Sequence, residues 1–155
     1  MSIGVGVIGA GVMGSDHARL IRSHVSGAHL VAVADADPAR AREAAAGARV
    51  DTDPLELIDS PDIQAVIIAS PDHTHGDFVL AAIRAGKPVL CEKPLAATSE
   101  DCLRIMDAER MAGLIVWMRD LLGMSDDLEG WRQRVCIGWL VAAVGELRLG
   151  SQAAS

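Results

Sequence analysis

Three glycines placed directly after an apolar run constrain this chain more than any other feature. Residues 3–8 are apolar or glycine and are followed by Gly9, Gly11 and Gly14. In a strand–turn–helix unit the first glycine allows a tight turn, the second lets the backbone approach a pyrophosphate, and the third lets the helix pack on the strand. A helix that starts near Val12 would direct its free N–H groups and its positive dipole end at the phosphates. The spacing therefore predicts a dinucleotide site.

Asp35, which closes the next apolar run, narrows the choice of cofactor. A carboxylate at the end of the second strand can accept hydrogen bonds from the adenosine ribose, whereas the 2′-phosphate of NADP would meet a like charge there. The sequence therefore favours NAD, although Arg40 and Arg42 are near enough along the chain to leave NADP open. Asp37 precedes Pro38, so we expect it, rather than Asp35, to cap the following helix.

The remaining pattern alternates predicted strands with predicted helices. The strands cover residues 3–8, 30–35, 49–51, 65–69, 88–91 and 114–118, and the helices cover residues 13–23, 38–46, 54–58, 75–85 and 99–112. Elements that alternate in this way form right-handed crossover units. We therefore expect an α/β fold, a Rossmann-type doubly wound parallel sheet, with residues 1–118 as an NAD-binding domain. Ser99 is the predicted cap of the last helix.

Composition argues against several other classes of protein. The formal net charge of −7 leaves no basic surface for nucleic acid. No apolar run reaches the ~20 residues of a membrane helix. Cys91, Cys102 and Cys136 form no paired framework, and no His, Cys, Asp and Glu spacing matches a metal site. We expect a cytoplasmic protein without a metal, in which His17 is a packing or backbone-bonded residue rather than a ligand.

Two polar loops are predicted to lie beside the reactive half of the dinucleotide. Parallel α/β sheets bind ligands beyond the carboxyl ends of their strands. Residues 70–75 follow one predicted strand, and Glu92 and Lys93 follow another. A lysine in that position can hold and polarise a substrate hydroxyl. The alternatives are that Asp72 and Thr74 only cap a helix and that Lys93 forms a surface salt bridge with Glu92.

Three segments resemble the N-terminal domain of the glucose–fructose oxidoreductase and inositol dehydrogenase (Gfo/Idh/MocA) family. They are residues 9–14 (GAGVMG), 71–75 (PDHTH) and 85–96 (AGKPVLCEKPLA), and the similarity covers about residues 2–113. Within the family, the chain is most similar to bacterial inositol 2-dehydrogenases. The resemblance implies an NAD-dependent oxidoreductase that oxidises a secondary hydroxyl of a cyclic polyol or sugar.

The resemblance also implies roles for individual residues. Lys93 would hydrogen-bond the substrate hydroxyl and assist its deprotonation while hydride leaves the same carbon for nicotinamide C4. The Lys93–Pro94 peptide bond would be cis and would direct the lysine inward. The predicted cofactor-binding residues are Gly9, Gly11, Val12, Met13, Gly14 and Asp35, together with Ser70, Asp72, His75, Glu92 and Lys93 on the nicotinamide side.

After about residue 113 the chain departs from the family pattern. Family members continue into a C-terminal α+β substrate domain whose Asp and His supply a proton acceptor, whereas this sequence has no histidine after His75. Residues 119–155 are predicted to form an atypical tail, helical or poorly ordered, and a truncation or reading-frame change near residue 113 would explain it. We therefore expect the chain to bind NAD but to be inactive.

Two other hypotheses stay open on the sequence. The chain could be a non-catalytic dinucleotide-binding fragment or module, and apolar faces of tail helices would then favour self-association. A transferase that binds S-adenosylmethionine can use a similar glycine loop, but the Glu92-Lys93-Pro94 segment argues against that class.

Overall fold

The computed structural model of the protein describes residues 2–113 and 116–118. Within them lie strands β1 (Ile3–Ile8), β2 (Ala28–Ala34), β3 (Arg49–Asp51), β4 (Ala65–Ile68), β5 (Val89–Cys91) and β6 (Val116–Met118). The helices are α1 (Val12–Ser23), α2 (Pro38–Ala45), α3 (Pro54–Asp59), α4 (Asp72–Arg84) and α5 (Ser99–Ala112). The strands form one sheet in the order β3-β2-β1-β4-β5-β6, and every neighbouring pair is parallel. This doubly wound order confirms the predicted Rossmann-type fold.

The central strands are uninterrupted apolar runs because helices cover both faces of the sheet. Every residue of β1 and β4 is buried. One core layer packs α1 and α2 on the sheet, with Leu20 and Ile21 of α1 fully enclosed. The other packs α3, α4 and α5, where Leu57, Val79 and Ile105 are buried. Each such aliphatic side chain stabilises the fold by about 1.5–3 kcal/mol relative to its exposed state.

The strand order brings the predicted polar loops to one edge of the sheet. Because β1 lies between β2 and β4, the crossover from β1 runs toward one end of the sheet and the crossover from β4 toward the other, which opens a crevice at the carboxyl ends of these two strands. Gly9 follows β1, Asp35 follows β2, Ser70 follows β4 and Glu92 follows β5. Residues that are far apart in sequence therefore border the same crevice.

Some predicted helix boundaries are wrong. Helix α4 begins at Asp72 rather than at His75, because Pro71 in extended conformation serves as its N-cap and the acidic Asp72 suits the first turn. The N-cap of α5 is Thr98 and not Ser99. Thr98 Oγ1 accepts a hydrogen bond from the backbone N–H of Asp101 at 3.1 Å and donates one to the Asp101 carboxylate at 2.7 Å. Thr98 thus caps one of the free backbone N–H groups in the first turn of α5, as threonine commonly does at an N-cap.

Several predictions fall outside the described residues. They are the tail predicted for residues 119–155, helical or poorly ordered, and the first two residues of the predicted strand 114–118, of which residues 116–118 form β6. Within the described ranges, no helix is both long enough and apolar enough to cross a membrane. In the same ranges, no group of His, Cys, Asp and Glu side chains could hold a metal ion.

Candidate functional site

The three glycines after β1 differ in what surrounds them and in whether the fold would accept a larger residue. Gly9 has a φ of +92°, in the left-handed region, and a Cβ there would overlap the carbonyl of Ala69. A Cβ on Gly14 would overlap the Gly9 carbonyl, so only glycine lets α1 pack against the turn. Among the residues that the structure describes, none comes within 4 Å of a Cβ placed on Gly11. The fold itself thus requires Gly9 and Gly14, whereas Gly11 borders open space.

The N-terminus of α1 faces this open space. Gly11 is its N-cap and supplies no capping side chain, and the first turn carries no acidic residue. Val12 is 86% exposed and Met13 is partly buried. The helix therefore presents backbone N–H groups and the positive end of its dipole without an anion from its own first turn. An anionic group such as a pyrophosphate fits this position.

Asp35 ties the glycine turn to the end of β2. Its Oδ2 accepts a hydrogen bond from the N–H of Ala10 at 2.6 Å, and its Oδ1 accepts one from the N–H of Asp37 at 2.8 Å. Arg40 Nη2 donates to Oδ1 at 2.9 Å. Burial alone would raise the pKa of Asp35, but these hydrogen bonds outweigh it and hold the pKa below its ordinary value. Asp35 is therefore a charged acceptor at the predicted ribose position.

Arg40 is one of the two arginines because of which the sequence left NADP open as the cofactor. Its guanidinium lies beside the carboxylates of Asp35 and Asp37. Besides the contact with Asp35, its Nε is 3.8 Å from the Asp37 carboxylate. Two negative charges against one positive charge leave this corner acidic, so a 2′-phosphate would still meet repulsion. Asp37 also accepts hydrogen bonds from the backbone N–H groups of Ala39 and Arg40. Its predicted role as the cap of α2 is thus confirmed.

A cleft of about 280 Å³ opens between the loops that follow β2 and β4. Ala36 and Arg40 line one part of it, and Pro71, His73 and Phe78 line another. Pro71 and His73 belong to the predicted polar loop 70–75 but were not among the predicted cofactor-binding residues, and Phe78, in the second turn of α4, was not predicted at all. A cleft with mostly apolar walls beside an acidic side chain suits a flat heterocycle attached to a ribose. Together with the open glycine turn, the residues present fit a dinucleotide.

His75 joins the loops after β4 and β5 from a buried position. It is 1% exposed, its Nδ1 lies 2.6 Å from the carbonyl oxygen of Pro94, and its Nε2 lies 2.8 Å from that of Ser70. Ser70 Oγ lies 2.6 Å from Thr74 Oγ1, which donates to the Pro71 carbonyl. Asp72 is exposed at the start of α4, and neither it nor Thr74 supplies a capping bond. The alternative that these two residues serve only as caps is therefore wrong.

Glu92 and Lys93 occupy opposite environments at the end of β5. Glu92 is 7% exposed, and its Oε1 lies 2.6 Å from Nε2 of His17, which is fully buried. The sequence predicts His17 as a packing or backbone-bonded residue. In the structure its ring instead contacts the carboxylate of Glu92, 75 residues further along the chain. Because Glu92 is buried against α1, the alternative of a surface salt bridge with Lys93 does not describe it.

Lys93 is exposed at the carboxyl edge of the sheet. Its peptide bond with Pro94 is cis, as the resemblance implied. The direction of the Lys93 side chain, which the resemblance implies to be inward, stays a prediction. On the other side of Glu92, burial raises the pKa of the Cys91 thiol to about 12, so this thiol is no nucleophile at neutral pH. Lys93 is thus the exposed reactive group of this segment.

The chain matches the profile of the Gfo/Idh/MocA oxidoreductase family, NAD-binding Rossmann fold, over residues 3–119. Inositol 2-dehydrogenase 2 of Saccharopolyspora erythraea is 57% identical over 116 residues, which are 73% of this chain and 34% of that relative. The inositol 2-dehydrogenase of Acidothermus cellulolyticus is 51% identical over 115 residues, 72% of this chain and 34% of that relative. The chain thus spans about a third of the length of these curated relatives.

Solved structures agree with this assignment. The scyllo-inositol dehydrogenase from Lactobacillus casei, solved with NAD(H) and scyllo-inositol, has a TM-score of 0.75 at 27% identity, over 89% of this chain and 42% of its own. An NAD-binding oxidoreductase from Klebsiella pneumoniae has a TM-score of 0.69 at 38% identity, over 76% of this chain and 34% of its own. Since the family profile matches most of the sequence, the chain belongs to the Gfo/Idh/MocA oxidoreductase family, with its NAD-binding Rossmann fold.

Proposed function

We propose that the chain is the NAD-binding part of a dehydrogenase that oxidises a secondary hydroxyl of a cyclic polyol, such as inositol, or of a sugar. One observation carries the proposal: the glycine turn, Asp35 and Lys93 follow three different strands and border one crevice. The substrate class is supported by relatives that are named inositol 2-dehydrogenases and are 57% and 51% identical to the matched part of the chain.

The cofactor is proposed to bind across the first turn of α1. The backbone of Gly11, Val12 and Met13 would receive the pyrophosphate, because Gly11 leaves open space and the helix end favours an anion. A carboxylate has about four acceptor positions. Three described donors, the N–H groups of Ala10 and Asp37 and the Arg40 guanidinium, occupy the Asp35 carboxylate. Asp35 therefore retains capacity for a ribose hydroxyl.

When bound, NAD would supply a hydride acceptor at nicotinamide C4. Lys93 would donate a hydrogen bond to the substrate hydroxyl oxygen and stabilise the negative charge that develops there as the proton leaves. Asp72 would border the nicotinamide side together with Ser70, which also lines the cleft beside Asp35, while the buried His75 and Glu92 would hold the loops around it. These residues align the hydroxyl-bearing carbon for hydride loss without themselves accepting the proton.

A second candidate function is dinucleotide binding without turnover. It is favoured by the sequence, in which no histidine follows His75, and by the engaged state of the two buried histidines, His17 and His75. Neither ring is placed to accept a substrate proton, because each already bonds protein groups in a buried position. On this account the 155-residue chain binds NAD and needs a proton acceptor from elsewhere for catalysis.

A cofactor titration followed by an activity assay tests the proposal. We expect NADH to give saturable fluorescence quenching and a rise in the melting temperature. NADPH should bind about fivefold or more weakly, because repulsion from the acidic corner costs ~1 kcal/mol. Adding NAD and myo-inositol should give no NADH from this chain alone. A folded protein whose fluorescence and melting temperature do not change with NADH would contradict the proposal. Measurable formation of NADH would contradict the claim that the chain needs a proton acceptor from elsewhere.

A further inference from the structure

Three buried polar residues in the part of the chain that the structure describes meet at one short segment. They are His17, His75 and Glu92; the other buried residues of that part are apolar or glycine, and the Asp35 side chain, 8% exposed, lies apart from them at the glycine turn. Glu92 belongs to the segment 92–94 itself, His17 contacts Glu92, and His75 contacts the Pro94 carbonyl. Burying polar groups away from water costs free energy, and a buried ion pair is weak grounds for stability. That all three residues meet at this segment therefore indicates that the position of the segment matters.

The segment is held from both sides of Lys93. On one side, α1 reaches Glu92 through His17, with 2.6 Å between Nε2 and Oε1. On the other side, α4 reaches the Pro94 carbonyl through His75, with 2.6 Å between Nδ1 and the oxygen. Lys93 lies between these two fixed neighbours and is itself exposed. Because consecutive Cα atoms are at most about 3.8 Å apart, fixing both neighbours leaves the Lys93 backbone little freedom.

We propose that His17 is a positioning residue for Lys93: its buried hydrogen bond to Glu92 fixes the segment that carries Lys93 at the carboxyl edge of the sheet. The inference rests on the proposed function only in assigning Lys93 to the substrate. Helix α1 starts at the glycine turn and carries His17 in its second turn. One helix thus sets both the predicted pyrophosphate position and, through Glu92, the lysine position.

The chemistry of the His17 ring agrees with this role. With its proton on Nε2, the neutral ring donates to the Glu92 carboxylate, and Nδ1 needs no acceptor. Among the described residues Nδ1 has no hydrogen-bond partner and is buried, which this tautomer tolerates. A hydrogen bond to a charged acceptor in a dry site is stronger and more directional than one in water. His17 is therefore suited to fix the Glu92 carboxylate in one position.

The lysine count makes the inference directly measurable. The sequence contains only two lysines, Lys87 and Lys93. Lys87 Nζ donates to the carbonyls of Ile58 and Ser60 at the end of α3 and serves as an internal reference. In protein labelled with ¹³C-lysine, the two Cε resonances can be assigned with Lys93→Arg. The full chain is then compared with His17→Leu, His17→Gln and the exposed control His24→Leu, without cofactor.

We expect His17→Leu to displace the Lys93 Cε resonance and to leave Lys87 at its wild-type position. The Gln amide can replace Nε2, so His17→Gln should return Lys93 toward its wild-type position, and His24→Leu should change neither signal. If the Leu variant does not fold, His17→Asn replaces it, since its shorter side chain does not reach Glu92. An unmoved Lys93 resonance in a folded variant, or equal displacement in the Gln variant, would overturn the inference.

The same sample separates this inference from the proposed function. NADH added to the wild type should move the Lys93 resonance and raise the melting temperature. If NADH does neither, the proposed function fails. The comparison of the His17 variants is made without cofactor, so its outcome does not depend on NADH binding. If NADH binds and the His17 variants leave Lys93 unmoved, only the positioning role fails.

Discussion

Asp35 holds three donors of its own protein at the place where a ribose is expected. Two of them are backbone N–H groups, of Ala10 and Asp37, so the carboxylate connects the glycine turn with the loop after β2 even before a ligand binds. Its side chain is 8% exposed. The acceptor that recognises the cofactor is therefore also part of the folded structure, and its ionisation affects stability as well as binding.

The depressed pKa of Asp35 predicts a stability change in acid. A carboxyl whose pKa is lower in the folded protein stabilises the fold fully above its unfolded pKa, about 4, and loses that contribution as the pH falls through the folded pKa. We expect the melting temperature of the wild type to fall more steeply below about pH 4 than that of Asp35→Asn. Asp77→Asn, at an exposed position of α4, serves as the control. Parallel melting curves for wild type and Asp35→Asn would contradict this prediction.

Sequence reasoning succeeded at single residues where the rule is local. Asp37 before Pro38 specified a helix cap, and the structure shows both capping bonds. It failed where the partner is distant: the spacing of residues gives no sign that His17 meets Glu92 across 75 positions. Such a pair depends on how α1 packs beside β5, which is a property of the whole sheet and not of either local motif.

At the scale of elements, the turn from β1 into α1 combines a folding requirement with a binding requirement. Gly9 and Gly14 allow the backbone to turn and the helix to lie against it, since a Cβ at either position would overlap backbone atoms. Gly11 has extended backbone with φ of −69° and no neighbour within 4 Å of an added Cβ. The two kinds of glycine can therefore be distinguished by experiment.

We predict that Gly14→Ala and Gly11→Ala damage different properties. In Gly14→Ala the new methyl would overlap the Gly9 carbonyl, so the turn must shift and stability should fall by about 1–3 kcal/mol. Gly11→Ala should unfold at nearly the wild-type denaturant concentration but bind NADH at least about tenfold more weakly, equivalent to ~1.4 kcal/mol, because its methyl fills the space proposed for the pyrophosphate. Urea unfolding and NADH titration of both variants check this. Equal NADH affinity in Gly11→Ala and wild type would sink the proposed pyrophosphate position.

Strands with a continuous apolar pattern were predicted correctly. A helix whose first residues also suit a loop was given a wrong starting residue. Strands β1 and β4 are continuous apolar runs, which is how strands buried on both faces read in a sequence. The start of α4 was placed three residues too late because Pro71 and the polar residues after it also suit a loop. In the structure Pro71, in extended conformation, is the N-cap, so the first turn of α4 begins at Asp72.

At the scale of the whole molecule, the two core layers of the described residues are built from one continuous stretch of chain. Their buried members lie between Ile3 and Ile105, and partly buried Ala108 is the last residue packed against them. Strand β6 then adds the sixth position of the sheet beside β5. We propose on this basis that residues 1–118 form the NAD-binding domain and that residues 119–155 are not required for it. The self-association expected from the tail stays a prediction.

A chain that ends at Met118 tests this division. It keeps both core layers, the glycine turn, Asp35 and Lys93, so we expect cooperative unfolding within about 1 kcal/mol of the full chain. The Kd for NADH should stay within about threefold, or ~0.6 kcal/mol. Trp117 remains as the single tryptophan and reports both transitions by fluorescence, while sedimentation of the two chains measures whether residues 119–155 cause self-association. If the shorter chain fails to fold cooperatively, those residues contribute to the core and the proposed domain boundary must move toward the C-terminus.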